Sequence, residues 1–151
     1  MQKCLVDIVA IPIASPLLIG IYKDKKLIKE IKKEGKTSDI LPEIFDEILK
    51  EYEVKHIIYS KGPGSYMAIK LSYIFFKMLE ITKNITLLAT DGFYFNNNSP
   101  IKAIGNTFFI KKEGIISLEK NLKEGKFKLP KRLNFKDFSK KTSPLYVLKA
   151  I

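Results

Sequence analysis

Apolar and polar positions change period along this chain, and each change predicts an element. Lys3 to Ile13 is apolar and β-branched (Val6, Ile8, Val9, Ile11, Ile13), which predicts a buried central strand that Pro12 ends or bulges. Ser15-Pro16 gives a turn, and Leu17 to Tyr22 a second strand. The polar loop Lys23 to Lys26 leads into a third, Leu27 to Lys33, which alternates strictly. Short links between the three imply an antiparallel meander. Thr37, Ser38 and Asp39 are all helix-capping types, so a helix starts near Asp39 with Pro42 in its first turn. Ile40, Leu41, Ile44, Phe45, Ile48 and Leu49 form its apolar stripe. Val54 to Tyr59 and Ile85 to Thr90 read as strands around a second, longer helix.

That second helix follows a glycine turn, Ser60-Lys61-Gly62-Pro63-Gly64-Ser65. Glycine permits close backbone approach and proline fixes φ, so the turn is tight, and Ser65 can cap the helix that opens at Tyr66. Apolar residues from Met67 to Ile81 cover most of the helix circumference, leaving Lys70, Ser72, Lys77, Glu80 and Thr82 as a narrow polar stripe. Such a helix seeks burial on more than one side. One face then packs on the protein's own sheet and another on a partner. Ile44, Ile48, Tyr73, Phe76 and Lys77 are the candidate partner-binding residues, spaced to share outward faces.

The order β-β-β-α-β-α-β predicts an α/β fold of the ribonuclease-H-like, actin-type (ASKHA) class, with both helices on one side of the sheet if the crossovers take the usual hand. Asn96 to Pro100 marks a boundary between a lobe over residues 1–95 and a reduced second lobe over 96–151. Three short strands are expected in the second lobe, at Ile101–Ile104, Thr107–Lys111 and Ile115–Leu118. From Glu119 to Lys141 the pattern is weak and predicts loops or a short helix.

Gly62-Pro63-Gly64-Ser65-Tyr66, with Lys70 beyond, resembles the G-P-G-S-F-T-G-x-R motif of the TsaB (YeaZ) family; Met67 and Ala68 stand where that family has Thr-Gly. Lys36 to Pro42 resembles the family's helix start, with Lys36 in place of histidine, and Pro144 to Lys149 resembles its terminal segment. Ala103 to Thr107 falls on a family segment but lacks its acid and its arginine. The resemblance covers the first lobe and the extreme C-terminus, and implies a truncated second lobe. It implies a non-catalytic scaffold that binds TsaD, with TsaE in the same assembly, and supports threonylcarbamoyladenosine (t6A37) modification of tRNA. It also implies helix pairing with a homologous lobe, in a homodimer or with TsaD.

Charge adds a second theme. The net charge is +11, and it is uneven. Residues 1–95 carry 14 lysines against 12 acids, whereas residues 96–151 carry 13 basic residues against 4 acids. The C-terminal third therefore either faces a polyanion, with Lys111, Lys112, Lys131 and Arg132 as candidate RNA contacts, or is a solvated lysine-rich surface. The alternative function is thus a small basic RNA-binding protein acting without TsaD. One cysteine, Cys4, allows no disulfide within the chain, as expected of a cytoplasmic protein, and no stretch predicts a membrane span.

Enzymatic chemistry finds few residues to carry it. His56 is the single histidine, in a strand with Glu53 as its nearest acid, which reads as structural; no metal set or nucleophilic triad can be assembled around it. No catalytic residue, metal or cofactor is expected. Lys61, Gly62, Gly64 and Ser65 form a candidate anion-binding turn, since backbone N–H groups, a lysine and a helix N-terminus meet there. The spacing matches no nucleotide fingerprint, and a structural turn is the competing reading. Actin-type nucleotide enzymes need an acid and hydroxyls in the first hairpin; Ile11-Pro12-Ile13 supplies neither, which disfavours a degenerate ATPase or peptidase-like enzyme.

Overall fold

The computed structural model describes residues 2–147. Seven elements build the main body: β1 (Cys4–Ile11), β2 (Leu17–Lys23), β3 (Lys26–Lys33), α1 (Thr37–Glu51), β4 (Tyr52–Ser60), α2 (Tyr66–Lys83) and β5 (Thr86–Thr90). They form one five-stranded sheet of order β3-β2-β1-β4-β5. The meander β1-β2-β3 is antiparallel, while β4 and β5 add in parallel. This is the ribonuclease-H-like arrangement that the pattern predicts. β1 and β4 lie inside the sheet, and their C-terminal halves are buried on both faces, which explains the apolar runs Ile8 to Ile11 and Ile57 to Tyr59.

Two local features differ from expectation. α1 begins at Thr37, with Lys36 as its cap and no side-chain capping bond. The N–H groups of both Asp39 and Ile40 reach the Lys36 carbonyl, so the capping-type residues fill the first turn instead of preceding it. Pro42 then falls in the second turn. In β4, a bulge at Lys55 shifts the register against β1, so that Val6 pairs with Val54 but Asp7 with His56. The bulge restores alternation: Val54 and Ile57 both face the helices, although three positions separate them.

α1 and α2 cover one face. Ile44, Phe45, Ile48, Phe76 and Leu79 pack there on Val6, Ile8, Ala10, Ile57 and Tyr59. Phe76 meets Phe45 and Tyr59 edge-on, at ring distances of 5.4 and 5.6 Å. The opposite face carries Val9, Ile11, Ile58 and Leu88, and it is covered without an α-helix. An extended segment, residues 126–145, crosses it as a strap, laying Phe127, Leu129, Leu133, Phe135 and Phe138 on the sheet. At the β3 edge, the Leu27 N–H donates to the Lys131 carbonyl at 3.0 Å and the Leu133 N–H to that of Lys25 at 2.9 Å. At the β5 edge, Ala89 and Ser139 exchange two backbone bonds of 2.9 Å. The strap thus occupies part of both sheet edges, which would otherwise offer unpaired backbone. Tyr22 donates its hydroxyl to Pro130 from beneath the strap, and Tyr59, whose ring lies on the helix side of the sheet, donates to Thr142 near the strap's end.

Between β5 and the strap the chain forms a short 3-10 helix, Gly92–Phe95, and a small antiparallel sheet of β6 (Ile101–Lys102), β7 (Thr107–Lys112) and β8 (Ile115–Lys120). The two-residue turn Glu113-Gly114 joins β7 to β8 with φ of 50° and 79°, the geometry that matches strand twist. Phe93, Ile101 and Phe109 form the core beneath this sheet.

Candidate partner-binding surface

α2 opens where the glycine turn closes. Ser65 accepts a hydrogen bond from the Ala68 N–H at 3.4 Å and caps the helix. Along the helix, Ile69, Ser72, Phe76 and Leu79 face the sheet. Ser72 is tolerated there because its hydroxyl donates to the Ala68 carbonyl at 2.6 Å, leaving no polar group unpaired. The opposite side carries Met67, Ile74, Met78 and Ile81, which are 54, 54, 48 and 81% exposed. Their spacing places them on one stripe along the helix. The second apolar face of α2 is therefore real, and nothing among the described residues covers it.

The residues expected to form that face do not. Ile44, Ile48 and Phe76 are buried in the core between helices and sheet. Tyr73 is half-buried and stacks on Tyr59 at 6.5 Å. Lys77 donates to Glu80 at 2.8 Å and lies over the Tyr73 ring. The Glu80 hydrogen bond raises the Lys77 ammonium above its ordinary range, against a smaller opposing effect of burial. α1 contributes no large exposed apolar residue to the outer surface; Glu43, Asp46, Glu47 and Lys50 face solvent there.

The candidate anion turn is packed shut on two sides. Gly62 sits at φ +116°, where an added Cβ would lie 2.7 Å from the Leu145 carbonyl oxygen and 2.8 Å from Ile69 Cδ1. A Cβ on Gly64 would meet Ile13 Cγ2 at 2.5 Å. The Leu145 N–H donates to the Lys61 carbonyl at 2.7 Å, and the Lys61 ammonium donates to the Lys141 carbonyl at 3.0 Å. The glycines thus serve the close passage of the strap's end. That end includes Pro144 and Leu145 of the terminal segment, whose Leu148 and Lys149 lie outside the described residues.

His56 has an acidic partner that sequence order conceals. The Asp7 carboxylate accepts from His56 Nδ1 at 2.8 Å across the bulged pair of strands, and the imidazole lies 4.9 Å from the Phe135 ring of the strap. Glu53, its neighbour in sequence, is not that partner. Among the RNA candidates, Lys111 is held by Asp91 at 2.5 Å, whereas Lys112, Lys131 and Arg132 are exposed. Among the described residues, no three of His, Cys, Asp or Glu gather as a metal site, and no helix is long and apolar enough to cross a membrane.

No family model matches this chain, and no curated protein matches it by sequence. Solved structures do match its fold. It is similar to YeaZ from Pseudomonas aeruginosa, with a TM-score of 0.57 at 11% identity over 80% of this chain and 65% of that one. An uncharacterized protein with similarity to peptidase YEAZ from Pseudomonas aeruginosa matches with a TM-score of 0.49 at 12% identity and the same coverage. The likeness to YeaZ establishes the shared fold, and this chain spans about 65% of the length of that relative.

Proposed function

We propose that this chain is a TsaB-like, non-catalytic scaffold that binds TsaD through α2 and supports threonylcarbamoyladenosine modification of tRNA. TsaE joins the same assembly in this reading, and the isolated chain can pair with a second copy through the same face. The observation that carries the proposal is the exposed stripe Met67, Ile74, Met78 and Ile81 on a lobe with the YeaZ fold. The G-P-G-S turn at Gly62 to Ser65 adds the sequence signal. Four large apolar side chains on one helix face stay in water only at a cost, and such a face marks a surface that docks on a complementary apolar one. Two methionines suit that use, because their unbranched side chains adapt to a partner's surface.

The test is co-expression with TsaD from the same genome. Wild-type protein is expected to co-purify with TsaD, and the double variant Ile74→Asp, Met78→Asp to lose it by tenfold or more while keeping its circular dichroism spectrum and Tm. Retention of TsaD by the folded double variant, or failure of the wild type to bind TsaD, would defeat the reading.

A further inference from the structure

We propose that the outer side of the strap, with the cleft between it and the Tyr94–Ser99 loop, is a binding track for single-stranded RNA. The strap alternates. Its phenylalanines and leucines turn toward the sheet, and its basic residues toward solvent. Between residues 126 and 141 it carries seven basic residues and one acid, Asp137, whose carboxylate accepts from the Tyr94 hydroxyl at 2.7 Å. The backbone bonds at the β3 edge bring the exposed Lys23, Lys25 and Lys26 of the β2–β3 hairpin against Lys131 and Arg132. Among the described residues, none of these ten cations takes part in an ion pair. Apart from Lys25, whose ammonium lies 5.9 Å over the Phe135 ring, these cations have no partner charge or ring among the described residues, and like charges on one segment repel one another, so their concentration fits a polyanion that neutralises them.

The cleft narrows the choice of polyanion. It is an open depression of about 550 Å³ whose lining includes Tyr94, Asn97, Lys126, Lys128 and Lys131. The Tyr94 ring is held by the bond to Asp137 and by edge-on contacts with Phe95 and Phe138, and its surface is partly exposed. A fixed aromatic beside lysines and an exposed amide suits an unpaired base with its flanking phosphates. A duplex hides its bases from such a cleft. A lipid surface would call for apolar side chains among the lysines, and here the strap's apolar residues are turned inward.

The track lies on the sheet face opposite α1 and α2, so it stays open when α2 is covered, and the proposal requires no protein partner. The experiment uses the isolated protein and a fluorescein-labelled 12-nucleotide oligouridylate, followed by anisotropy from 50 to 250 mM KCl. Wild-type affinity is expected to fall steeply with salt. The triple variant Lys126→Glu, Lys128→Glu, Lys131→Glu is expected to bind at least tenfold more weakly, with a slope shallower by about 2, since each phosphate contact on a single strand contributes about 0.7. A control triple with the same charge change, Lys3→Glu, Lys55→Glu, Lys83→Glu, alters exposed lysines that line another depression, at the base of β1 and β4, and should stay within threefold. Tyr94→Leu should weaken binding about tenfold without changing the slope. The proposal is overturned by equal losses in the two triples, by no binding at 50 mM, or by equal affinity for a duplex or for phosphatidylserine vesicles. Unchanged affinity in Tyr94→Leu overturns the cleft as the base site.

Discussion

The Glu80 carboxylate accepts the Leu87 N–H at 2.8 Å, so the last turns of α2 hold the outer edge of β5. Its other oxygen accepts from Lys77. Burial by itself pushes this carboxyl up, but the bonds from Lys77 and Leu87 outweigh it and hold the group below its ordinary value of 4.5. A lowered carboxyl stabilises the fold above that ordinary value, and the contribution fades as pH falls through the lower folded one. Glu80→Gln should therefore lower Tm at pH 7 and differ less from wild type at pH 3. A constant difference across that range, by calorimetry, would show that the charge is irrelevant.

Phe76 and Ile74 are two residues apart and should behave oppositely. Phe76→Ala removes a ring fully enclosed by Phe45 and Tyr59 and should cost about 3–5 kcal/mol of stability. Ile74→Asp changes a side chain in water and should leave stability within about 0.5 kcal/mol. Urea denaturation of both variants compares them directly, and equal destabilisation would place Ile74 in the core.

Ser60 lies fully buried at the end of β4, and its hydroxyl has no hydrogen-bond partner among the described residues. Burying an unpaired hydroxyl costs about 1–3 kcal/mol. Ser60→Ala removes that cost with the loss of a single atom, so the variant should match or exceed wild-type Tm. A drop of several degrees would mean that the hydroxyl has a partner.

Tyr59 tests the strap. Tyr59→Phe keeps the ring packing and removes the bond to the Thr142 carbonyl, at a cost of about 1–2 kcal/mol. If that bond pins the strap, limited proteolysis should cut the variant faster between residues 139 and 147 and leave the helices intact. Uniform acceleration across the chain would assign the bond to global stability alone.

The main sheet was legible because its periods are clear, yet the phase of α2 was not. A helix apolar nearly all round offers little contrast, and Ser72 sits inside by bonding back to Ala68, where its chemistry suggests the outside. Turning Ser72 inward rotates Ile74, Met78 and Ile81 outward and Phe76 into the core. The Asp7–His56 pair depends on a bulge, which no alternation of side chains announces. The strap has alternation but no ladder: single bridges at Lys26–Arg132 and Ala89–Ser139 replace strand pairing, so its turns and breaks look like loop. The glycine turn reads correctly as tight, but what closes over it, Leu145, lies some 80 residues further on.

The strap also sets a timetable for the newborn chain. Tyr22 finds its acceptor at Pro130, 108 residues later, and Tyr59 finds Thr142 after 83. At roughly 5–20 residues per second of synthesis, β1 and β2 emerge on the order of 5–20 s before the segment that covers them. During that interval α1 and α2 can already close one side of the sheet, while Val9, Ile11, Ile58 and Leu88 remain bare on the other. A ribosome stalled before the strap would hold out an adhesive hydrophobic sheet, the kind of nascent surface that chaperones bind.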